Sequence, residues 1–187
     1  FEVGRQKSIA AIEAAMHANS NIFLIAQKDM ETEEPTAQDL YAYGVISEIK
    51  QVLRVSEDLL KVLVEGKSRA KLLDLDASGK YLQADVRPAP VRGVAPDKRT
   101  QTEALVRSLK ECFEEYLSYS PQISKDVVYN IVSSDNPLYL GEYMPANLLL
   151  KYEDKQTILQ ENSIPSRLEK LLLVMRQECE VLAIEKE

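Results

Sequence analysis

Few residue combinations in this chain could do chemistry, and the most suggestive is Gly66-Lys67-Ser68. The trio matches the end of a Walker A motif, in which glycine amides and a lysine cradle phosphates. That motif also needs a glycine where Lys61 stands, and a strand that runs directly into a helix so that the helix N-terminus can face the anion. Here the residues on both sides read as strands, which excludes a nucleotide site. The single histidine, His17, has no clustered partners and is expected as a solvated helix-end residue paired weakly with Glu13. Cys112 and Cys179 stand far apart without a Cys-x-x-Cys pair, so a structural zinc site cannot be assembled. Two reduced core thiols are the expectation, with a disulfide between two helices as the alternative. There is no nucleophile elbow, and acids occur as solvated faces rather than as a pair in apolar surroundings. No catalytic residue, cofactor site or metal site is expected in this chain.

Composition narrows the partners. The chain has 187 residues, 45% hydrophobic and 28% charged, enough to bury a core in one large domain or two small ones. Its net charge of -7 repels phosphate backbones, and its basic residues are interleaved with acids, so nucleic-acid binding is disfavoured. Apolar runs such as residues 22–26 are too short to cross a bilayer. With no basic-then-apolar segment at the start, a cytoplasmic location and no membrane partner are expected.

The elements that must position any site begin with residues 60–65, a strand with Leu60, Val62 and Val64 on one face and Lys61, Leu63 and Glu65 on the other. Gly66 is expected to end that run at a bend or bulge before a second strand over 70–75. Upstream, residues 2–3 read as the tail of a strand. Residues 5–19 read as an amphipathic helix through Ile9, Ile12, Ala15 and Met16. The apolar run 22–26 predicts a central strand buried on both faces. An acidic loop over 28–35 leads to a short helix with Thr36 and Asp39 as a capping box and Gly44 as its stop. Val45, Ile49, Leu53 and Val55 are then expected on one face of a long strand, and Leu82, Ala84 and Val86 on one face of another. Together these predict a small, twisted, partly closed sheet.

Prolines at 88, 90 and 96 mark a boundary, dividing the chain into residues 1–91, β-rich, and 92–187, helical. Beyond it, Leu105, Leu109, Cys112, Phe113, Tyr116 and Leu117 form one helical stripe, and Ser124 can cap a helix through Val127, Val128, Ile131 and Val132. Pro137 fits the first position of another helix, which Pro145 is expected to break or kink. Residues 153–161 read as a helix buried through Ile158 and Leu159. Ile164, Leu168, Leu171, Leu172, Met175, Cys179 and Leu182 stripe a final helix of about 22 residues. The stripes are expected to pack in a bundle, and residues 181–187 to project from it or continue into something else.

In this order the pieces resemble the N-terminal domain of bacterial Lon, the ATP-dependent AAA+ serine protease. The matching residues are Val3-Gly4-Arg5, Lys7-Ser8-Ile9, Ala26-Gln27-Lys28-Asp29, Glu34-Pro35-Thr36, Asp39-Leu40-Tyr41 with Gly44, Lys61 through Gly66, and Arg69-Ala70. In the helical half they are Asp154-Lys155-Gln156, Arg167-Leu168, Glu180-Val181-Leu182 and Ile184-Glu185-Lys186. The likeness covers essentially the whole chain. It implies an α+β fold: a PUA-like twisted β-barrel lobe with one early helix, then an all-α bundle lobe ending in a long helix. Two departures stand out. The family opens with a strand and a proline-containing loop ahead of the position of Phe1, and Gly141 and Pro145 interrupt a helix that many relatives keep regular.

The resemblance implies a non-catalytic module that recognises unfolded, damaged or degron-bearing proteins and supports assembly of a hexamer with other Lon subunits. ATP and Mg, like the proteolytic serine and lysine, belong to later domains. A docking surface for unfolded chains should be exposed, apolar and acid-rimmed. Phe1, Met30, Leu138, Tyr139 and Met144 are the substrate-binding candidates because they lie in or near loops. The alternative is a stand-alone PUA-like ligand- or RNA-binding module, against which the acidic charge argues.

Overall fold

The computed structural model describes residues 1–120 and 122–186. The chain divides into two compact units, Phe1–Pro90 and Val91–Glu187. The first runs β1 (Glu2–Val3), α1 (Gln6–His17), β2 (Asn21–Leu24), β3 (Tyr43–Ser56), β4 (Leu59–Asp76) and β5 (Gln83–Pro88). All pairings are antiparallel in the order β1-β4-β3-β2, with β5 also on β4. β1 and β5 share the edge of β4 opposite β3, so among the described strands the sheet stays open. Its core is Val3, Ile9, Ile12, Ile49, Leu60 and Val62, the apolar stripe of α1 laid on one face of the sheet. Each such side chain contributes about 1.5–3 kcal/mol by leaving water.

Four sequence expectations change here. β4 is one strand of 18 residues, not two: Ile46 pairs with Ser68 and Ser47 with Gly66, leaving Lys67 as a bulge inside a continuing ladder. The Gly66-Lys67-Ser68 trio therefore sits in mid-strand with no helix after it. β3 has its own extra residue, Lys50, between the Ile49–Val64 and Gln51–Leu63 pairs. A side-chain period of two cannot survive an added residue, so the buried positions pass from Ile49 to Val52 while Leu53 and Val55 turn outward. β2 is a half-buried edge strand rather than a central one. Gly44 stops no helix; it lies in β3, and a Cβ there would stand 2.3 Å from the Leu24 carbonyl oxygen. The capping box itself is present, with Thr36 and Asp39 bonded reciprocally around a single helical turn, and hydrogen bonding holds the Asp39 carboxyl below its ordinary range.

The second unit holds α2 (Arg99–Tyr119), α3 (Lys125–Ser133), α4 (Pro137–Asn147), α5 (Tyr152–Gln160) and α6 (Ile164–Lys186). The stripes of α2 and α6 fuse into one core with Ile131, Leu140, Met144, Leu148 and Ile158. Ser124 and Asn136 cap α3 and α4 through their side-chain oxygens, and Pro137 takes the first turn where no N–H is needed. α4 runs through Pro145 to Asn147 rather than breaking there. Gly141 faces the Arg167 stem, and a Cβ there would touch its Cδ at 3.4 Å, an ordinary packing distance. The end of α6 does not project. Lys186 donates to the Ser118 carbonyl at 3.2 Å and sits 5.3 Å from the Tyr119 ring, a cation at the C-terminal end of α2. Glu187 lies outside the described residues.

Gly44→Ala forces β2 away from β3 and is expected to cost at least about 1–3 kcal/mol. Gly93→Ala, with nothing within 4 Å of the added methyl, should stay within about 0.5 kcal/mol. Urea unfolding of both variants checks the difference.

Candidate functional site

The strongest candidate surface grows from the bulge at Lys50. Because that residue inverts the pleat, Leu53 joins Leu63 on the face away from α1, with Leu53 opposite Lys61 and Gln51 opposite Leu63. Phe1 completes the group: its backbone N donates to the Val62 carbonyl at 3.0 Å and its carbonyl accepts from Val62 at 2.9 Å. Phe1, Leu53 and Leu63 are 55%, 57% and 59% exposed. They line a groove of about 340 Å³ together with Glu2, Gln51, Lys61 and Val62. Glu2 and Lys61 pair across its mouth at 3.5 Å. Beside it, between the residues paired to β1 and those paired to β5, residues 63–68 of β4 have no strand partner on that edge among the described residues.

A charge lattice continues the same face. Lys50 reaches Glu48 at 2.8 Å and Glu65 at 2.9 Å, and Lys67 reaches the same two carboxylates at 3.0 and 2.8 Å. Hydrogen bonds from Lys67 and Lys50 pull Glu65 down to about 2, Glu48 is lowered for the same reason, and both lysines are raised. Both bulge residues are thus spent on neutralising carboxylates. Lys67 is a lattice cation here, with no anion site around it.

A larger cleft of about 830 Å³ opens between the alanine face of α1, the outer edge of β2 and Tyr81–Ala84. Its walls include Ala11, Ala15, Ala18, Ile22 and Leu24. Small and apolar walls suit an extended chain, but they carry no clustered acid, base or nucleophile.

The sequence candidates scatter. Phe1 belongs to the groove. Met30 is exposed on the acidic loop, whose backbone is pinned by Arg5 donating to the Met30 carbonyl at 2.8 Å. Leu138 and Tyr139 are exposed at the start of α4, where Asn136 accepts from both backbone N–H groups, and Tyr139 stacks on Tyr143 with centroids 5.0 Å apart. Met144 does not belong with them. It is fully buried in the helical core, because helix α4 continues past it and its side chain falls on the inward face. Glu13 pairs with Arg54 rather than with His17. Sequence reasoning misses Leu53 and Leu63 as a site. Leu63 is legible as a leucine on a polar strand face, whereas Leu53 is hidden by the bulge.

Among the described residues no group of three or more His, Cys, Asp or Glu is placed to hold a metal ion, and no helix is long and apolar enough to cross a membrane. The family model for the substrate-binding domain of ATP-dependent protease La (Lon) matches residues 1–177. The chain belongs to the Lon substrate-binding domain family. Among its relatives, the Lon protease of Desulforamulus reducens is 37% identical over 186 residues, covering 100% of this chain and 23% of that protein. The Lon protease of Escherichia coli K12 is 36% identical over 184 residues, covering 98% and 23% respectively. The chain therefore spans about a quarter of the length of these relatives. In fold it is similar to the N-terminal domain of Mycobacterium avium complex Lon protease, with TM-score 0.69 at 20% identity over 94% of this chain and 89% of that one. A Lon N-terminal domain protein from Xanthomonas campestris superposes with TM-score 0.55 at 15% identity, over 92% and 86%. The mixed helix-and-sheet architecture expected from the resemblance is the one found.

These placements make opposite demands on two methionines. Met144→Ala empties a closed core site and should cost about 2–5 kcal/mol, whereas Met30→Ala should stay within about 0.5 kcal/mol, both read by urea unfolding. The depressed Glu65 carboxyl contributes stability above its ordinary value of 4.5, and that contribution is lost as pH falls toward about 2. Because these groups are exposed and screened, thermal melts of wild type and Glu65→Gln should differ only slightly at neutral pH, and that small difference should vanish as the pH drops through that window.

Proposed function

We propose that this chain is the non-catalytic recognition head of a Lon-type ATP-dependent protease, gripping unfolded or degron-bearing proteins for later domains to unfold and cut. The observation that carries the reading is the family match, joined to an apolar groove exposed on a rigid, bulge-pinned strand pair. An unfolded client differs from a folded protein chiefly in displaying contiguous apolar segments, and Phe1, Leu53 and Leu63 offer such segments burial. Phe1, Met30, Leu138 and Tyr139 remain substrate contacts in this reading. Each contact is weak alone. Tethering beside a processing ring raises the local client concentration to about the millimolar range, so modest affinity suffices.

In the whole protein, ATP and Mg act in a later domain and subunits assemble as a hexamer in the cytoplasm. The isolated chain itself turns over neither ATP nor peptide.

A fluorescence titration of the chain with a reduced, carboxymethylated and therefore permanently unfolded protein tests the reading. Saturable binding is expected, weakened about tenfold or more in Leu53→Asp/Leu63→Asp. No saturable signal at high concentration removes the recognition role for this chain. Binding undiminished in the double variant moves it to another surface.

A further inference from the structure

Two thiols that take no part in the groove face each other inside the helical unit. Cys112 lies on α2 and Cys179 on α6, both buried and both free. The two helices run parallel in fixed register. Gln101 bonds Glu169, Cys179 bonds Cys112 and Lys186 bonds Ser118, at separations of 68, 67 and 68 residues. The Cys179 thiol donates to the Cys112 carbonyl oxygen at 3.8 Å. A disulfide needs Cα atoms within about 7 Å and converging Cβ vectors. The Cys179 sulfur lies this close to the backbone of Cys112 itself, on helices at matching height, which directs the Cys179 side chain at the position from which a disulfide to Cys112 would form.

We propose that Cys112 and Cys179 are a latent redox staple, closed to a disulfide between α2 and α6 by hydrogen peroxide or a peroxide of similar size. Two thiols and one hydrogen peroxide give one disulfide and two waters. One thiolate attacks a peroxide oxygen, the O–O bond breaks, and the hydroxide released takes up a proton as the first water while the sulfur becomes a sulfenic acid. The second thiolate then attacks that sulfur. The S–S bond forms, the S–O bond breaks, and the hydroxide leaves as the second water. The two electrons lost by the sulfurs reduce the peroxide. Burial raises both thiols, Cys179 to about 12, which makes Cys112 the first attacker and the reaction slow. A slow staple answers sustained oxidant rather than a brief pulse. Once closed, it joins segments 67 residues apart and fixes the register of the helix pair.

The test uses the full 187-residue chain, folded, with excess hydrogen peroxide for hours, then denaturation in a maleimide and mass spectrometry. The expected product has lost about 2 Da from its cysteines, takes no maleimide, and yields a Cys112–Cys179 crosslinked peptide. Its melting midpoint is raised, and dithiothreitol returns it to the starting value. Cys179→Ser under the same treatment should show no such loss and instead collect oxygen on Cys112. Two maleimide adducts throughout, independent oxygen addition at both cysteines, or disulfide-linked dimers would each overturn the proposal.

Discussion

One extra residue in one strand governs the first unit. Where Lys50 is inserted into β3, the ladder to β4 continues but the pleat changes sides, so Ile49 and Val52 can both be buried while Leu53 is turned to solvent. A ladder without the insertion would send Leu53 inward and leave Leu63 without a second leucine beside it on the outer face. The sheet tolerates the irregularity because the extra lysine, like Lys67 in the facing strand, is anchored by the carboxylates of Glu48 and Glu65. Exposed ion pairs of this kind add little to stability. Their consequence is geometric, since they hold two bulges in one place and with them the outward leucines.

The helical unit rests on a different constraint. α2 and α6 lie parallel although they are far apart in sequence, so the chain between them must return to the starting end before α6 begins. The short helices α3, α4 and α5 make that return, and the first two are capped or started by residues suited to the task, Ser124, Asn136 and Pro137. Arg167 shows how tightly the return is packed. It is buried, its guanidinium reaches Glu142 at 3.7 Å, and its stem passes beside Gly141, where an added Cβ would lie 3.4 Å from its Cδ. Between α2 and α6 the Cys179 thiol reaches the Cys112 carbonyl oxygen at 3.8 Å.

Much of this is legible in the residues. Helix stripes on α2 and α6 are long enough that their period is unambiguous, and the capping residues name their own helix starts. Alternation in β4 from Leu60 to Glu65 places the core and solvent faces correctly. The bulge at Lys67 is signalled by Gly66 beside it, though the strand continues through it rather than ending, whereas nothing in the local composition around Lys50 distinguishes an inserted residue from a paired one. Gly44 misleads for a related reason. A glycine after a short helical turn reads as a stop, and only the neighbouring strand reveals that it is there to admit the Leu24 carbonyl. Met144 misleads because a proline comes directly after it, and the helix passes through that proline to bury it. The family is legible from ordered short matches, while the groove is not, since two of its three apolar residues are brought together only by register.

The central claim is that the outward leucines of the bulged strand pair, with Phe1, form the client-gripping face. Methyl NMR of the chain with an unfolded protein measures this most directly. Shifts concentrated on the Leu53 and Leu63 methyls, with the Leu109 and Leu171 core methyls unmoved, are the predicted result. Client-dependent shifts that leave Leu53 and Leu63 untouched would contradict the account.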